Sequence, residues 1–242
     1  DQTPPEDVTD LSANGSYVDG AEGAAWLRWT PSADTAGDLA GYRILISADG
    51  GDSWGSNAPS FDNGVPLSRG QSASQAYIEG LLADVTYTFR VSAVDGVPNQ
   101  SEGVQASAEI PTAASDALTI GGDISADWVL GQGVFVVSAH LSVPAGYTLT
   151  LKPGAILKFA QFTDLSVWGD IIAVGSEGEP IVCTALSDDA IGGDTNADGP
   201  SDGVAGYWDS ISVYSPTVED TSQLENIEIR YSGRDDYSLY VD

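Results

Sequence analysis

The sequence predicts an all-β chain in two parts: a β-sandwich over residues 1–113 and the start of a parallel β-helix over residues 114–242. Three observations carry this. Helical periodicity is nearly absent, while short runs of Val, Ile, Leu, Tyr and Thr alternate with Gly, Asp, Asn, Ser and Pro. Before Pro111–Ser115 turn signals recur at the spacing of a sandwich. After it a short-strand pattern repeats at the length of one helical coil.

In the first part, Ala24–Thr30 alternates, with Ala25, Leu27 and Trp29 on one face and Trp26 and Arg28 on the other. Gly41–Ser47 (GYRILIS), Gln75–Glu79 and Thr86–Val94 are the further strand runs. Ser47–Trp54 (SADGGDSW) reads as a hairpin tip of the Asp-box kind: Asp49 bonds the turn backbone and Gly50-Gly51 take positive φ. A single such box, without arginines and an acid/base pair, does not make a glycosidase. Trp26, opposite the core face, is a candidate glycan or partner contact, or a ring covered by Arg28.

Thr3–Leu11 (TPPEDVTDL), Trp29 with Thr30-Pro31, Tyr42-Arg43 and Leu81–Asp95 (LLADVTYTFRVSAVD) together resemble a fibronectin type III domain over about residues 3–112. The resemblance implies that Leu81 and Tyr87 form the family's tyrosine corner and that Trp29 and Tyr42 sit in the core. Ala83 stands where the family often has proline. Asp1–Leu11, with its prolines, reads as an extended linker into the module, so Asp1 is expected not to be the natural start.

In the second part, Leu141-Ser142-Val143 recurs 24 positions later as Leu165-Ser166-Val167, and Ile156 and Ile181 follow similar turns 25 positions apart. Each copy holds three strand runs: Leu141–Val143, Thr148–Leu151 and Ile156–Phe159, then Leu165–Trp168, Ile171–Val174 and Ile181–Thr184. One such rung cannot form a core alone, so the rungs stack. Val143–Phe159, Leu165–Ala185, Trp208–Tyr214 and Leu224–Gly233 resemble the right-handed parallel β-helix of bacterial and archaeal surface and secreted proteins, over roughly residues 118–242. Ser115–Gly133 is expected to cap the first rung, with Trp128 over it. Asp242 reads as the end of a fragment or a place where another chain adds on.

The chemistry concentrates in Ser187–Gly206 (SDDAIGGDTNADGPSDGVAG). Asp188, Asp189, Asp194, Asn196, Asp198 and Asp202 gather oxygen ligands there. Asp194, Asn196, Asp198 and Gly199 fall at positions 1, 3, 5 and 6 of a calcium loop and Asp202 at position 9, but Ala205 replaces the Glu of position 12. The flanks are strands, so the expectation is a calcium-stabilised β-helix loop, with Asp188, Asp189 or Asp209 completing the shell, against a plain solvated acidic loop. The only cations of this half are Lys152, Lys158, Arg230 and Arg234. Nothing in the sequence puts one beside the loop, as a lyase base requires. His140, the single histidine, and Cys183, the single cysteine, leave no zinc set and no intrachain disulfide.

The net charge is −28, with 36 acidic and 8 basic residues. The first 113 residues hold 16 acids and 4 bases, leaving 20 and 4 for the rest, so the whole surface is acidic. That disfavours nucleic acid and anionic membrane as partners, and no apolar run reaches transmembrane length. The expected function is therefore a non-catalytic, secreted or cell-surface structural or adhesion segment. Calcium is its expected cofactor, and other copies or other cell-surface proteins are its expected partners. The alternative is a carbohydrate-binding or accessory region of a polysaccharide-active secreted enzyme, with Trp26 and Tyr147 as the glycan contacts.

Overall fold

The computed structural model describes residues 3–55, 65–67 (backbone only), 73–97, 99–214, 221–234 and 236–242. Among the described residues the chain is all-β apart from one 3-10 turn at Ala114–Asp116. It divides into two compact units, Asp1–Gly15 with Ala24–Ile110, and Ser16–Gly23 with Pro111–Asp242.

Among the described residues seven strands build the sandwich: β1 (Thr9–Tyr17), β2 (Glu22–Thr30), β3 (Leu39–Ser47), β4 (Val65–Leu67), β5 (Gln75–Leu82), β6 (Thr86–Asp95) and β7 (Val104–Glu109). They form a three-stranded sheet, β1-β2-β5, and a four-stranded one, β4-β3-β6-β7. The core lies between them, with Leu27, Ile44, Leu81, Tyr87, Phe89 and Val91 at its centre. Trp29 meets Tyr42 edge to face, centroids 5.5 Å apart. The Leu82 N–H donates to Tyr87 Oη at 3.2 Å, the tie expected of the tyrosine corner.

Two expectations change here. Val8 is a core residue and β1 begins at Thr9, so the later part of the supposed linker belongs to the domain. Trp26 is 3 % exposed: its Nε1 donates to Gln75 Oε1 at 3.0 Å and the Arg28 guanidinium covers its ring. A covered ring offers no face to a sugar, so Trp26 drops out as a glycan platform.

The Asp-box turn forms as expected. Ser47 Oγ accepts from Gly51 N at 2.8 Å, Asp49 accepts from Ser53 N at 2.9 Å, and Gly50 and Gly51 have φ of 75° and 99°. Trp54 packs beside it under the Arg90 guanidinium.

Twelve strands follow among the described residues: β8 (Leu118–Asp123), β9 (Trp128–Leu130), β10 (Gly133–Val143), β11 (Thr148–Leu151), β12 (Ala155–Phe159), β13 (Leu165–Val167), β14 (Asp170–Val174), β15 (Ile181–Ala185), β16 (Ile211–Val213), β17 (Gln223–Glu225), β18 (Ile227–Ile229) and β19 (Leu239–Val241). Every pairing among them is parallel, as a coiling chain requires. One sheet stacks β9, β11, β14 and β17. The other curls at β10, whose first half pairs with β12 and whose second half pairs with β13. Beyond those lie β15 and β18 on one side, and β16 and β19 on the other. The chain thus visits three faces in turn: β9-type, β12-type, β13-type. This is a curled parallel sheet system, the start of a β-helix.

The repeat Leu141-Ser142-Val143 stacks residue for residue on Leu165-Ser166-Val167, and that in turn on Ile211-Ser212-Val213. Inward columns are apolar: Phe135, Leu157 and Cys183 share one, Val137, Phe159 and Ala185 the next. Burial of the Cys183 thiol pushes its pKa up to about 12, so it is an inert core residue. β8 stacks on both halves of β10 as an extra rung, and Trp128 is the first residue of the β9-face column that continues through Leu149 and Ile171.

Candidate metal centre

The outward positions of the β12 face carry the site. Strand alternation turns Val134, Ile156 and Val182 outward in one column and Val136, Lys158 and Thr184 in the next. Outward residues of a coil normally meet water. Here Val134, Lys158 and Thr184 have no exposed surface, because residues 187–206 leave the end of β15 and fold back over them.

Three contacts fix that cover. Thr184 Oγ1 donates to Asp188 Oδ2 at 2.6 Å, Lys158 Nζ donates to the Gly193 carbonyl, and Gly192 lies so close that an added Cβ would meet Val134 methyls at 3.1 and 3.2 Å. Gly192 and Gly193 both have positive φ, which lets the backbone approach the coil.

Within the loop, carboxylate oxygens of Asp189, Asp194 and Asp198 lie within 4.8 Å of one another. Asp189 Oδ2 accepts from Ser201 N at 2.6 Å, Asp194 Oδ2 from Gly199 N at 3.0 Å, and Asp198 Oδ2 from Asn196 Nδ2 at 2.9 Å. Gly199, at φ 87°, makes the bend expected of it. Each of the first two carboxylates thus spends one oxygen on holding the loop. The other oxygens, Asp189 Oδ1 and Asp194 Oδ1, are buried without a hydrogen-bond partner, and so is Asn196 Oδ1. Unpartnered buried acceptors are costly. Opposite ligands of calcium stand about 4.6–5.2 Å apart, twice its ~2.3–2.6 Å bond length. The donor set fits a hard cation, with Asp189, Asp194, Asn196 and Asp198 as the residues that would hold it.

The six residues picked from sequence divide accordingly. Asp189, Asp194 and Asp198 come together, and Asn196 adjoins them. Asp188 is 1 % exposed and is committed to Thr184. Asp202 is exposed and lies outside the cluster. Asp209 is taken by Arg234, whose Nη2 donates to Oδ2 at 3.2 Å, so it does not complete the shell. Tyr147 is half-buried at the corner between β10 and β11, where its N–H donates to Pro144 O. His140 pairs with Asp164.

Sequence reasoning named Lys158 among the four cations of this half, and its alternation as outward, but did not place it beside the loop. Its ammonium lies 4.0 Å from Asp189 Oδ1, so a cation does stand beside the acidic loop. Burial lowers the pKa of this amine, and Asp189, Asp188, Asp194 and Asp198 oppose that shift. The outward register of β12 was the available signal; the loop that covers it comes some thirty residues later. With no exposed surface, Lys158 does not reach a polymer substrate as a lyase base must.

The fibronectin type III domain family matches residues 8–109. No curated protein matches the chain. Among solved structures, the chain is similar to the third fibronectin III domain of the human KIAA0343 protein, at 18 % identity over 47 % of this chain and 88 % of that one, TM-score 0.34. It is also similar to the twitchin kinase region of C. elegans, at 25 % identity over 46 % of this chain and 17 % of that one, TM-score 0.32. A third similar structure is a β-1,2-glucanase from Parabacteroides distasonis, at 16 % identity over 47 % of this chain and 13 % of that one, TM-score 0.30. Among the described residues no helix is long and apolar enough to cross a membrane.

Proposed function

From a chain that carries a fibronectin type III domain at residues 8–109, we infer an extracellular, non-catalytic scaffold or adhesion segment whose parallel coil is fastened by calcium. The observation that carries this reading is the loop 187–206: it clamps the outer face of β12 and β15 while leaving Asp194 Oδ1 and Asn196 Oδ1 buried without a hydrogen bond, and Asp189 Oδ1 buried with only the Lys158 ammonium 4.0 Å away. A cation bound there satisfies those acceptors and offsets the repulsion among Asp189, Asp194 and Asp198. The sandwich serves as a spacer module, a use common among cell-surface domains of this architecture. The stacked coil gives stiffness, and other copies or other surface proteins are the partners.

A thermal melt with calcium, with EDTA, and with magnesium as competitor tests it. The reading requires a calcium-specific rise in melting temperature. Identical melts in calcium and EDTA overturn it.

A further inference from the structure

Trp168, Tyr214, Tyr237 and Tyr240 stand together on the second unit, and the function above uses none of them. Trp168 follows β13 and Tyr214 follows β16, whose register pairs Val167 with Val213. Equivalent positions on successive coils lie about 4.8 Å apart, so the two rings stack, centroids 4.1 Å apart and 13° from parallel. Tyr240 packs on Tyr214 at 5.8 Å and 51°, and Tyr237 on Tyr240 at 5.5 Å and 43°. The stacked pair uses its facing surfaces on itself. Tyr240 lies between Tyr214 and Tyr237, tilted to both. Trp168, Tyr237 and Tyr240 are 49 %, 41 % and 37 % exposed, which separates them from the covered Trp26.

We propose that this aromatic strip binds an uncharged polysaccharide. Exposed aromatic faces pack on the C–H faces of pyranose rings, while tyrosine hydroxyls and the indole N–H supply polar contacts at the edge. The exposed carboxylates of Asp236 and Asp242 flank Tyr237 and Tyr240 in the chain and accept hydrogen bonds from sugar hydroxyls. Three half-exposed rings present roughly 300 Å², well below the ~800 Å² per partner of a stable protein interface. The strip runs across three coils, about 10 Å along the axis, which suits a short run of sugar units. Nucleic-acid bases also stack on aromatics, but their phosphates need Lys and Arg, and a chain of net charge −28 repels polyanions, acidic glycans included.

The test is calorimetric titration of the full chain with cellohexaose, laminarihexaose and chitohexaose, with polygalacturonate as the anionic control. At least one neutral hexasaccharide is expected to bind. Trp168→Ala and Tyr240→Ala should each weaken it tenfold or more, and Trp168→Phe should retain most of the affinity. In the unmodified chain the bound saccharide should shield Trp168 from oxidation by N-bromosuccinimide, a readout independent of whether a variant folds. Binding is expected in EDTA as well as in calcium, so failure of the metal reading leaves this test standing. The proposal is overturned if none of the three hexasaccharides binds, or if both alanine variants bind like the parent. It is equally overturned if only polygalacturonate binds, or if sedimentation shows self-association that Trp168→Ala abolishes.

Discussion

The ammonium of Lys158 lies 4.0 Å from Asp189 Oδ1, beneath a loop that carries three further carboxylates within its field, those of Asp188, Asp194 and Asp198. It is a cation with no exposed surface, on the outside of a β-coil.

Removing that charge leaves the carboxylates facing one another. Lys158→Met keeps most of the volume and loses the cation, and breaking a buried pair in this way costs about 3–5 kcal/mol. In EDTA the variant should unfold at lower denaturant concentration, with an unfolding free energy smaller by that amount, measured by tryptophan fluorescence and circular dichroism. Calcium should restore part of the loss, because a bound ion supplies positive charge at the same place. A variant as stable as the parent in EDTA would show that Lys158 neutralises nothing there.

If calcium binds as proposed, at about 100 times its dissociation constant it should stabilise the folded chain by about 2.7 kcal/mol, or roughly 5–10 °C at this size. Asp194→Asn combined with Asp198→Asn should erase that gain. Asp202→Asn should keep it, since Asp202 stands outside the cluster. Calorimetric scans of the three proteins with and without calcium check the distinction.

In the sandwich, Tyr87→Phe deletes only the acceptor of the Leu82 N–H. Leu82 is itself half-exposed, so water can take over its N–H and the loss is that of one hydrogen bond, about 0.5–1.5 kcal/mol. Urea unfolding should show that loss in the transition of the sandwich, with little change in hydrophobic packing, as Phe keeps the ring of a residue that is 1 % exposed.

The Asp49 carboxyl is held well below its ordinary value of 3.8 by the Ser47 hydroxyl first, then by the Ser53 hydroxyl and N–H. Its folded pKa is depressed, so the hairpin tip has its full stabilisation above the ordinary value and loses it as pH falls through the folded one. Amide exchange at Gly51 and Ser53 should quicken with acidification below about pH 3.8, relative to the intrinsic rate. Asp49→Asn should show the faster relative exchange already at neutral pH.

Much of this architecture was legible because it rests on short-range pattern. The Leu-Ser-Val repeat gave a true register, and the Ser47–Trp54 turn and the Tyr87 corner are local motifs that formed as read. The match of Ile156 with Ile181 was one residue out: Ile156 stacks on Val182. A shift of one turns a strand residue to the opposite face, so similarity of side chains paired an outward isoleucine with an inward one. That Asp194 and Asp198 come together was legible from spacing, while Asp189 was one of three residues offered to join them. The places of Asp188, Asp209 and Lys158 were not legible, because their partners are set by tertiary folding: Thr184, Arg234 and the underside of the loop. Trp26 shows the same limit, since alternation tells which way a side chain points and not what lies on top of it.

Between β15 and β16 the chain makes its long excursion, yet Leu165 still stacks on Ile211 as Leu141 does on Leu165. The corner takes up twenty-odd extra residues without shifting a single rung above or below. Such a corner is a port: outside the residues that hold Thr184 and Lys158, peptide can be added there while the coil keeps its count. Variation in length can therefore accumulate at the corners of such a coil without disturbing the columns that stack its rungs.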